Sequence, residues 1–402
     1  LTRIKAGGGA TGECAAMKPS FDFAERPFIV IWETTQACAL ACRHCRASAQ
    51  ALRHPLELDT VESFRLIDQV VRCRPGLFVL TGGDPVRRPD LKELIGYAAD
   101  RGLRVGLSPS ATPEFMRQDL AELKRLGVAR ISLSLDGATR ESHDGFRGVE
   151  GTWDLTMQAI ANARAAGMEV QINTTFTRQN LAEFDAFVAL LDEVRPVLWS
   201  VFQLVPTGRG KLGDLLSADE METLFLRLQR LSESAPYDIK TTEGHHYRRV
   251  VLQQTRDKAR LQIRAPIGVN DGKGFVFVSH LGEIYPSGFL PISAGNVRRD
   301  ELCEVYRNSP LFRRLRDVDQ LQGKCGRCEF RTICGGSRAR AFAMTGDCMG
   351  EEPLCAYQPP PRSGPRAERF DLVHGRSSSR PENSSTPACR PASPASPPSP
   401  SR

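Results

Sequence analysis

The sequence predicts an α/β protein: a partial (β/α)6 barrel followed by a loop-rich C-terminal extension. Three observations lead there. Six short apolar runs alternate with helical periodicity between residues 28 and 205. Right-handed crossovers curl such an array into an open barrel. Seven of the 12 cysteines fall into two tight groups, one just after the first run and one beyond residue 320, so each half has its own thiol centre.

The apolar runs lie at 28–32, 77–80, 103–107, 131–135, 170–175 and 197–205. Each is rich in Val, Ile, Leu or Phe, as parallel strands buried on both faces are. Leu91, Leu94, Ile95 and Ala98 keep helical spacing, as do Trp153, Met157 and Ile160. Leu181, Phe184, Phe187 and Leu191 mark another helix, and Met221, Leu224, Phe225, Leu228 and Leu231 a further one. Asp59 and Asp90 suit N-caps, and Gly102, Gly127 and Gly167 suit C-caps. A short hairpin is expected at 274–285, turning near 280–282. The boundaries read as a disordered segment 1–20, the barrel 21–240, the extension 241–358 and a disordered Pro/Ser/Arg-rich tail 359–402.

Composition narrows the function classes. Hydrophobic content of 41% and charged content of 25% exclude a wholly disordered or fibrous chain. No apolar run approaches the ~18–20 residues of a membrane span, and residues 1–20 lack a signal-peptide core, so a cytoplasmic protein is expected. The net charge of +7 is concentrated in the tail, where seven Arg face three acids. That placement argues against a nucleic-acid footprint. Without a secretory signal the cysteines do not read as a disulfide framework; grouped thiols read as metal or cluster ligands.

Cys38, Cys42 and Cys45 have CX3CX2C spacing on the loop leaving the first strand. A structural zinc site wants four protein ligands, and a [4Fe–4S] cluster has four irons. Three thiolates leave one iron open for an exogenous ligand. This arrangement resembles the radical S-adenosylmethionine (SAM) superfamily, whose fold is a TIM-like partial barrel. The resemblance implies that the open iron chelates SAM and that an electron cleaves it to a hydrogen-abstracting 5′-deoxyadenosyl radical. It also assigns SAM contacts. Gly82, Gly83 and Asp84 resemble the family's GGE motif for the methionine amine, with Asp for Glu. Ser134 and Asp136 stand where the ribose is met, Asn173 ends the fifth strand at a further contact, and His44 holds the place of an aromatic near the nucleoside. Residues 205–209 lie near the expected adenine.

Cys325, Cys328, Cys334 and Cys355 supply a complete four-thiol shell, with Cys348 as the other choice for the fourth ligand and Cys303 as a spare. Gly335 and Gly336 allow amide N–H groups to turn toward sulfur. Zinc stays open for this group alone. Beside the first group, the pattern resembles SPASM or twitch extensions, which implies one auxiliary [4Fe–4S] cluster. The runs at 285–298, 325–347 and 351–357 resemble the tetrapyrrole-modifying branch, that of haem d1 synthase and the haem-forming iron-coproporphyrin decarboxylase. That implies oxidative decarboxylation of propionates on a small-molecule substrate, with an external electron donor such as ferredoxin or flavodoxin. Substrate carboxylates then call for cations: His245, His246, Arg248 and Arg249 form a cationic patch, and Arg147, Arg209, Arg338 and Arg340 are further candidates. Two other readings remain: a radical SAM maturase of a ribosomal peptide or protein, and a non-enzymatic zinc-binding α/β protein.

Overall fold

Alternation within the strands fixes which face of the sheet is sealed. The computed structural model describes residues 21–255 and 268–361. The strands β1 (Ile29–Glu33), β2 (Leu77–Thr81), β3 (Val105–Leu107), β4 (Val128–Ser134), β5 (Glu169–Phe176) and β6 (Leu198–Gln203) fall on the six apolar runs. Val30 and Trp32, Phe78 and Leu80, Ile131 and Leu133, and Val170 and Ile172 are buried in the main core. Their neighbours Ile29, Ile31, Leu77, Val79, Ser132, Ser134, Gln171 and Asn173 are half-buried. Burial on both faces, expected from the apolar runs, therefore holds for β3 and most of β6 but not for β1, β2, β4 and β5. With a side-chain period of two, one face packs under the helices and the other lines an accessible interior.

The sheet has nine strands in the order β7-β6-β5-β4-β3-β2-β1-β8-β9, with β7 at Asp238–Thr242, β8 at Phe275–Val278 and β9 at Ile284–Tyr285. The hairpin expected at 274–285 forms as the antiparallel β8–β9 pair. Its first strand lies parallel to β1, with Val30 opposite Val276. The sheet thus continues past residue 240, where the barrel was expected to give way to the extension. The described residues all belong to one compact unit. Residues 1–20 and 362–402, which hold the expected disordered ends, lie outside the described residues. Among the described residues no helix is long and apolar enough to cross a membrane.

Local chemistry sets the helix ends. Asp59 and Glu62 form a capping box on the helix Thr60–Cys73. Asp90 precedes the helix Leu91–Asp100 without capping it, because its carboxylate pairs with Arg88 at 2.7 Å.

Cys73 forms a disulfide with Cys303 in the helix Leu302–Asn308. The expectation of a spare Cys303 and of no disulfide fails here, since spacing cannot reveal a bond between residues 230 apart. The bond fastens the extension to a barrel helix, with Arg72 paired to Glu301 beside it at 2.8 Å. A cross-link over so long a loop contributes about 2–4 kcal/mol by restricting the unfolded chain. Cys73→Ser is therefore expected to lower the thermal midpoint, as read by calorimetry. Alkylating the denatured, unreduced protein should leave Cys73 and Cys303 unlabelled; labelling of both would refute the bond.

Candidate active site

Backbone hydrogen bonds hold the first cysteine loop at the carboxyl end of the sheet. Thr34 N donates to Thr81 O, Gly83 N to Thr35 O and Asp84 N to Ala37 O, each at 2.7 Å. A Cβ on Gly82 would stand 2.6 Å from Thr35 O, and one on Gly83 would be closer still to Ala37 O. Sequence reasoning gives these glycines to the approach of a ligand; in the structure the cysteine loop itself fills that space. From the other side Arg209 donates to Cys42 O at 2.9 Å and Ala49 O at 3.2 Å, so it clamps the loop.

Cys38 and Cys42 are buried and Cys45 is half-buried. Leu40 N–H points at Cys38 Sγ (3.4 Å), and the Ser110 hydroxyl lies 3.6 Å from it. Burial pushes the Cys42 thiol up to about 11, opposed by the Arg147 guanidinium. A three-thiol set on one short loop, with an amide and a cation turned toward it, fits the open-iron cluster that the sequence pattern implies. Among the described residues no group of three or more His, Cys, Asp or Glu is placed to hold a single metal ion.

The expected SAM contacts gather around this loop, but most of their polar atoms already have partners. Asp84 is fully buried and accepts from Thr112 Oγ1 (2.9 Å) and Ser110 N (3.2 Å). Burial pushes its carboxyl up to about 6. Asp136 accepts from Arg147 at 2.9 Å and from Thr175 N at 2.8 Å. His44 Nε2 lies 3.8 Å from the same carboxylate, and its ring packs 4.6 Å from Phe146. Burial pushes the His44 pKa down to about 4. Ser134 and Asn173 are register partners on the accessible face, one residue pair below Asp136. Arg147, expected as a substrate cation, instead ties Asp136 to the cysteine loop.

His143 makes this corner pH-sensitive. Its Nδ1 accepts from Asp136 N at 3.2 Å, and its Nε2 lies 3.4 Å from Thr156 Oγ1. Burial, reinforced by Arg147, lowers its pKa to about 4. The unfolded chain then binds the extra proton first. Stability from this group is complete above pH ~6.5 and falls as pH drops toward 4, by up to about 3 kcal/mol. His143→Asn is expected to flatten that part of a denaturation profile against pH; an unchanged profile would refute the assignment.

One constellation escaped sequence reasoning. Glu33, the last residue of β1, takes His280 Nδ1 at 2.8 Å and Arg46 at 3.2 Å. Burial would raise its pKa, but Arg46 and His280 outweigh that and hold it below the usual value. Arg46 also lies over the Phe277 ring at 4.4 Å, so residues from β1, the cysteine loop and β8 meet here. The available signal was an acid closing an apolar strand directly before the cysteines.

The second thiol group lines one partly open cavity. Cys325, Cys328, Cys334 and Cys355 all border it, with His246, Arg249 and Tyr357. Cys348 lies instead in an apolar cluster with Leu290, Leu315 and Met349. Every cavity sulfur faces a backbone N–H: Glu352 N to Cys325 (3.2 Å), Gly336 N to Cys334 (3.4 Å), Phe330 N to Cys328 and Tyr357 N to Cys355. That donor set suits a cluster held by four thiolates.

The residues expected as a cationic patch at 245–249 are buried or half-buried and largely engaged within the protein. His245 and His246 are buried, and burial pushes both pKa values down, that of His246 to about 3. Arg248 donates to Ile333 O (3.0 Å) and Val269 O (2.7 Å), and Arg249 pairs with Glu222. Arg338 donates to Cys348 O (3.0 Å) and Gly350 O (2.6 Å). Arg340 pairs with Glu352 at 2.8 Å in full burial and reaches Leu204 O and Glu243 O, beyond the ends of β6 and β7. The expected substrate cations thus brace the fold around the cavity.

The comparisons decide the family. A family model described as the Radical SAM superfamily matches residues 32–191. The chain is 40% identical over 350 residues to a protein named AdoMet-dependent heme synthase from Oleidesulfovibrio alaskensis, covering 85% of this chain and 89% of that one. The chain belongs to the radical SAM superfamily. A protein of the same name from Methanosarcina barkeri is 39% identical over 344 residues, covering 83% of this chain and 97% of the other. The solved structure of Streptococcus suis SuiB bound to S-adenosylmethionine superposes with a TM-score of 0.64 at 16% identity, over 83% of this chain and 78% of that one. That likeness shows the fold, a partial barrel. Membership in the radical SAM superfamily makes the protein an enzyme and implies a [4Fe–4S] cluster with SAM, which sets aside the zinc-binding alternative.

Proposed function

We propose that this radical SAM enzyme converts propionate side chains of a tetrapyrrole to vinyl groups by oxidative decarboxylation, the 5′-deoxyadenosyl radical taking one hydrogen atom and a one-electron acceptor taking the electron released with carbon dioxide. The observation that carries this is the 40% identity to an AdoMet-dependent heme synthase along 85% of the chain. In this reading residues 21–240 carry the SAM chemistry and residues 241–358 hold an auxiliary [4Fe–4S] cluster. Cys38, Cys42 and Cys45 hold the first cluster, which with SAM bound supplies a hydrogen-abstracting organic radical. Gly82, Gly83, Asp84, Ser134, Asp136, Asn173 and His44 frame SAM. Asp84, held by Thr112 and Ser110, would supply the carboxyl for the methionine amine. Cys325, Cys328, Cys334 and Cys355 hold the second cluster. His245, His246, Arg248 and Arg249 shape the wall between that cluster and the barrel. A ferredoxin or flavodoxin supplies the initiating electron in the cytoplasm, and the substrate is a small molecule, neither nucleic acid nor membrane.

The test is anaerobic reconstitution, then incubation with SAM, dithionite and a tetrapyrrole panel, with mass spectrometry of the products. The expected product is lighter by one carbon dioxide and two hydrogens for each side chain converted, alongside 5′-deoxyadenosine. SAM cleavage with every tetrapyrrole unchanged would reject the substrate and turn attention to ribosomal peptides.

A further inference from the structure

The cavity bordered by Cys325, Cys328, Cys334 and Cys355 contains one polar side chain without a partner at either end. His246 is 1% exposed, and neither ring nitrogen has a hydrogen-bond partner among the described residues. Its ring is fixed edge-on to Phe225, 4.7 Å away, and it borders the same empty space as the four sulfurs. A neutral imidazole carries one N–H donor, and leaving such a donor buried and unmet is costly. Two other lining side chains, Arg249 and Arg331, each keep an unmet Nε–H, but the terminal nitrogens of both are paired, so among the polar lining side chains only His246 lacks every hydrogen-bond partner. Lys324 donates to Cys355 O at 2.6 Å, Tyr357 donates to Glu329, and the ends of the Arg249 guanidinium go to Glu222 and Gln253. The four thiol sulfurs already face backbone N–H groups. An inorganic sulfide of a cluster held by these four thiols would be an acceptor for the His246 N–H.

We propose that His246 donates its ring N–H to a sulfide of the auxiliary cluster and so raises the reduction potential of that cluster. The inference rests on the reading that these four thiols hold a [4Fe–4S] cluster. An N–H directed at cluster sulfur stabilises the more negative, reduced state, so the donor makes the cluster easier to reduce. His246 is then a positioning residue that tunes the cluster without ligating it. Because β7 ends at Thr242, the donor lies four residues beyond the barrel strand and links the potential to that end of the sheet.

The test uses the full chain carrying Cys38→Ala, Cys42→Ala and Cys45→Ala, so that only the auxiliary centre contributes. Its potential is read by a redox titration followed by electron paramagnetic resonance. His246→Leu is expected to shift the midpoint to more negative values, and His246→Gln, which keeps an N–H donor, to restore part of the shift. An equal shift in both variants, or none in either, overturns the inference while the cluster reading stands. Absence of any cluster in the triple-alanine background overturns both. If His246→Leu fails to assemble iron, pulsed resonance on protein with isotope-labelled histidine decides instead. A weak coupling to a ring nitrogen supports the donor, and no coupling overturns it.

Discussion

Cys42→Ala is expected to reduce 5′-deoxyadenosine formation to the level of a protein-free control. If the three thiols hold the cluster as proposed, losing one removes an iron ligand. Cys42 is buried among Cys38, Leu40 and half-buried Cys45. Arg209 fixes its carbonyl, so no neighbouring side chain swings into its place. Cys355→Ser should behave differently. It lies at the other cavity, so SAM cleavage is expected to persist while conversion of substrate is lost. Chromatographic assay of 5′-deoxyadenosine in both variants separates the two centres. Wild-type cleavage by Cys42→Ala would reject the assignment of the first thiol group.

Arg340→Met is expected to destabilise the C-terminal part by about 3–5 kcal/mol, the cost of leaving a buried partner charge uncompensated. Arg340 and Glu352 are at most 1% exposed, and the pair lies between the sheet and the second cavity. Glu352 contributes more than charge: its Oε2 accepts from Ser337 N at 2.8 Å, and its own N–H faces Cys325 Sγ. Losing the arginine therefore disturbs a thiol as well as a salt bridge. The double variant Arg340→Met with Glu352→Met should recover much of the loss, because no lone buried charge remains. Denaturant unfolding of the single and double variants measures this. A single variant as stable as the parent would show that the pair is solvated.

The sequence revealed those features that local pattern encodes. Six strands appear as runs of Val, Ile, Leu and Phe, and both thiol groups are visible from spacing alone. Spacing leaves Cys348 as an alternative to Cys355; in the structure Cys355 borders the cavity with the other three thiols. What stayed hidden depends on which parts of the chain meet in space. Gly82 and Gly83 look like a ligand turn, but their neighbours are Thr35 and Ala37, nearly fifty residues earlier in the chain. Arg147 and Arg340 look like free cations until Asp136 and Glu352 are found beside them. Cys73 and Cys303 have nothing in their surroundings to announce each other.

The seating of Phe275–Val278 against the first strand has a consequence for biosynthesis. As the chain leaves the ribosome, the outer edge of Ile29–Glu33 stays bare until some 245 further residues have been made. An unpaired edge invites non-native association, and pairing at such range is slow. Nascent polypeptide released early would expose that edge beside its cysteine loop, so chaperone protection and late metal delivery suit this protein better than stepwise maturation.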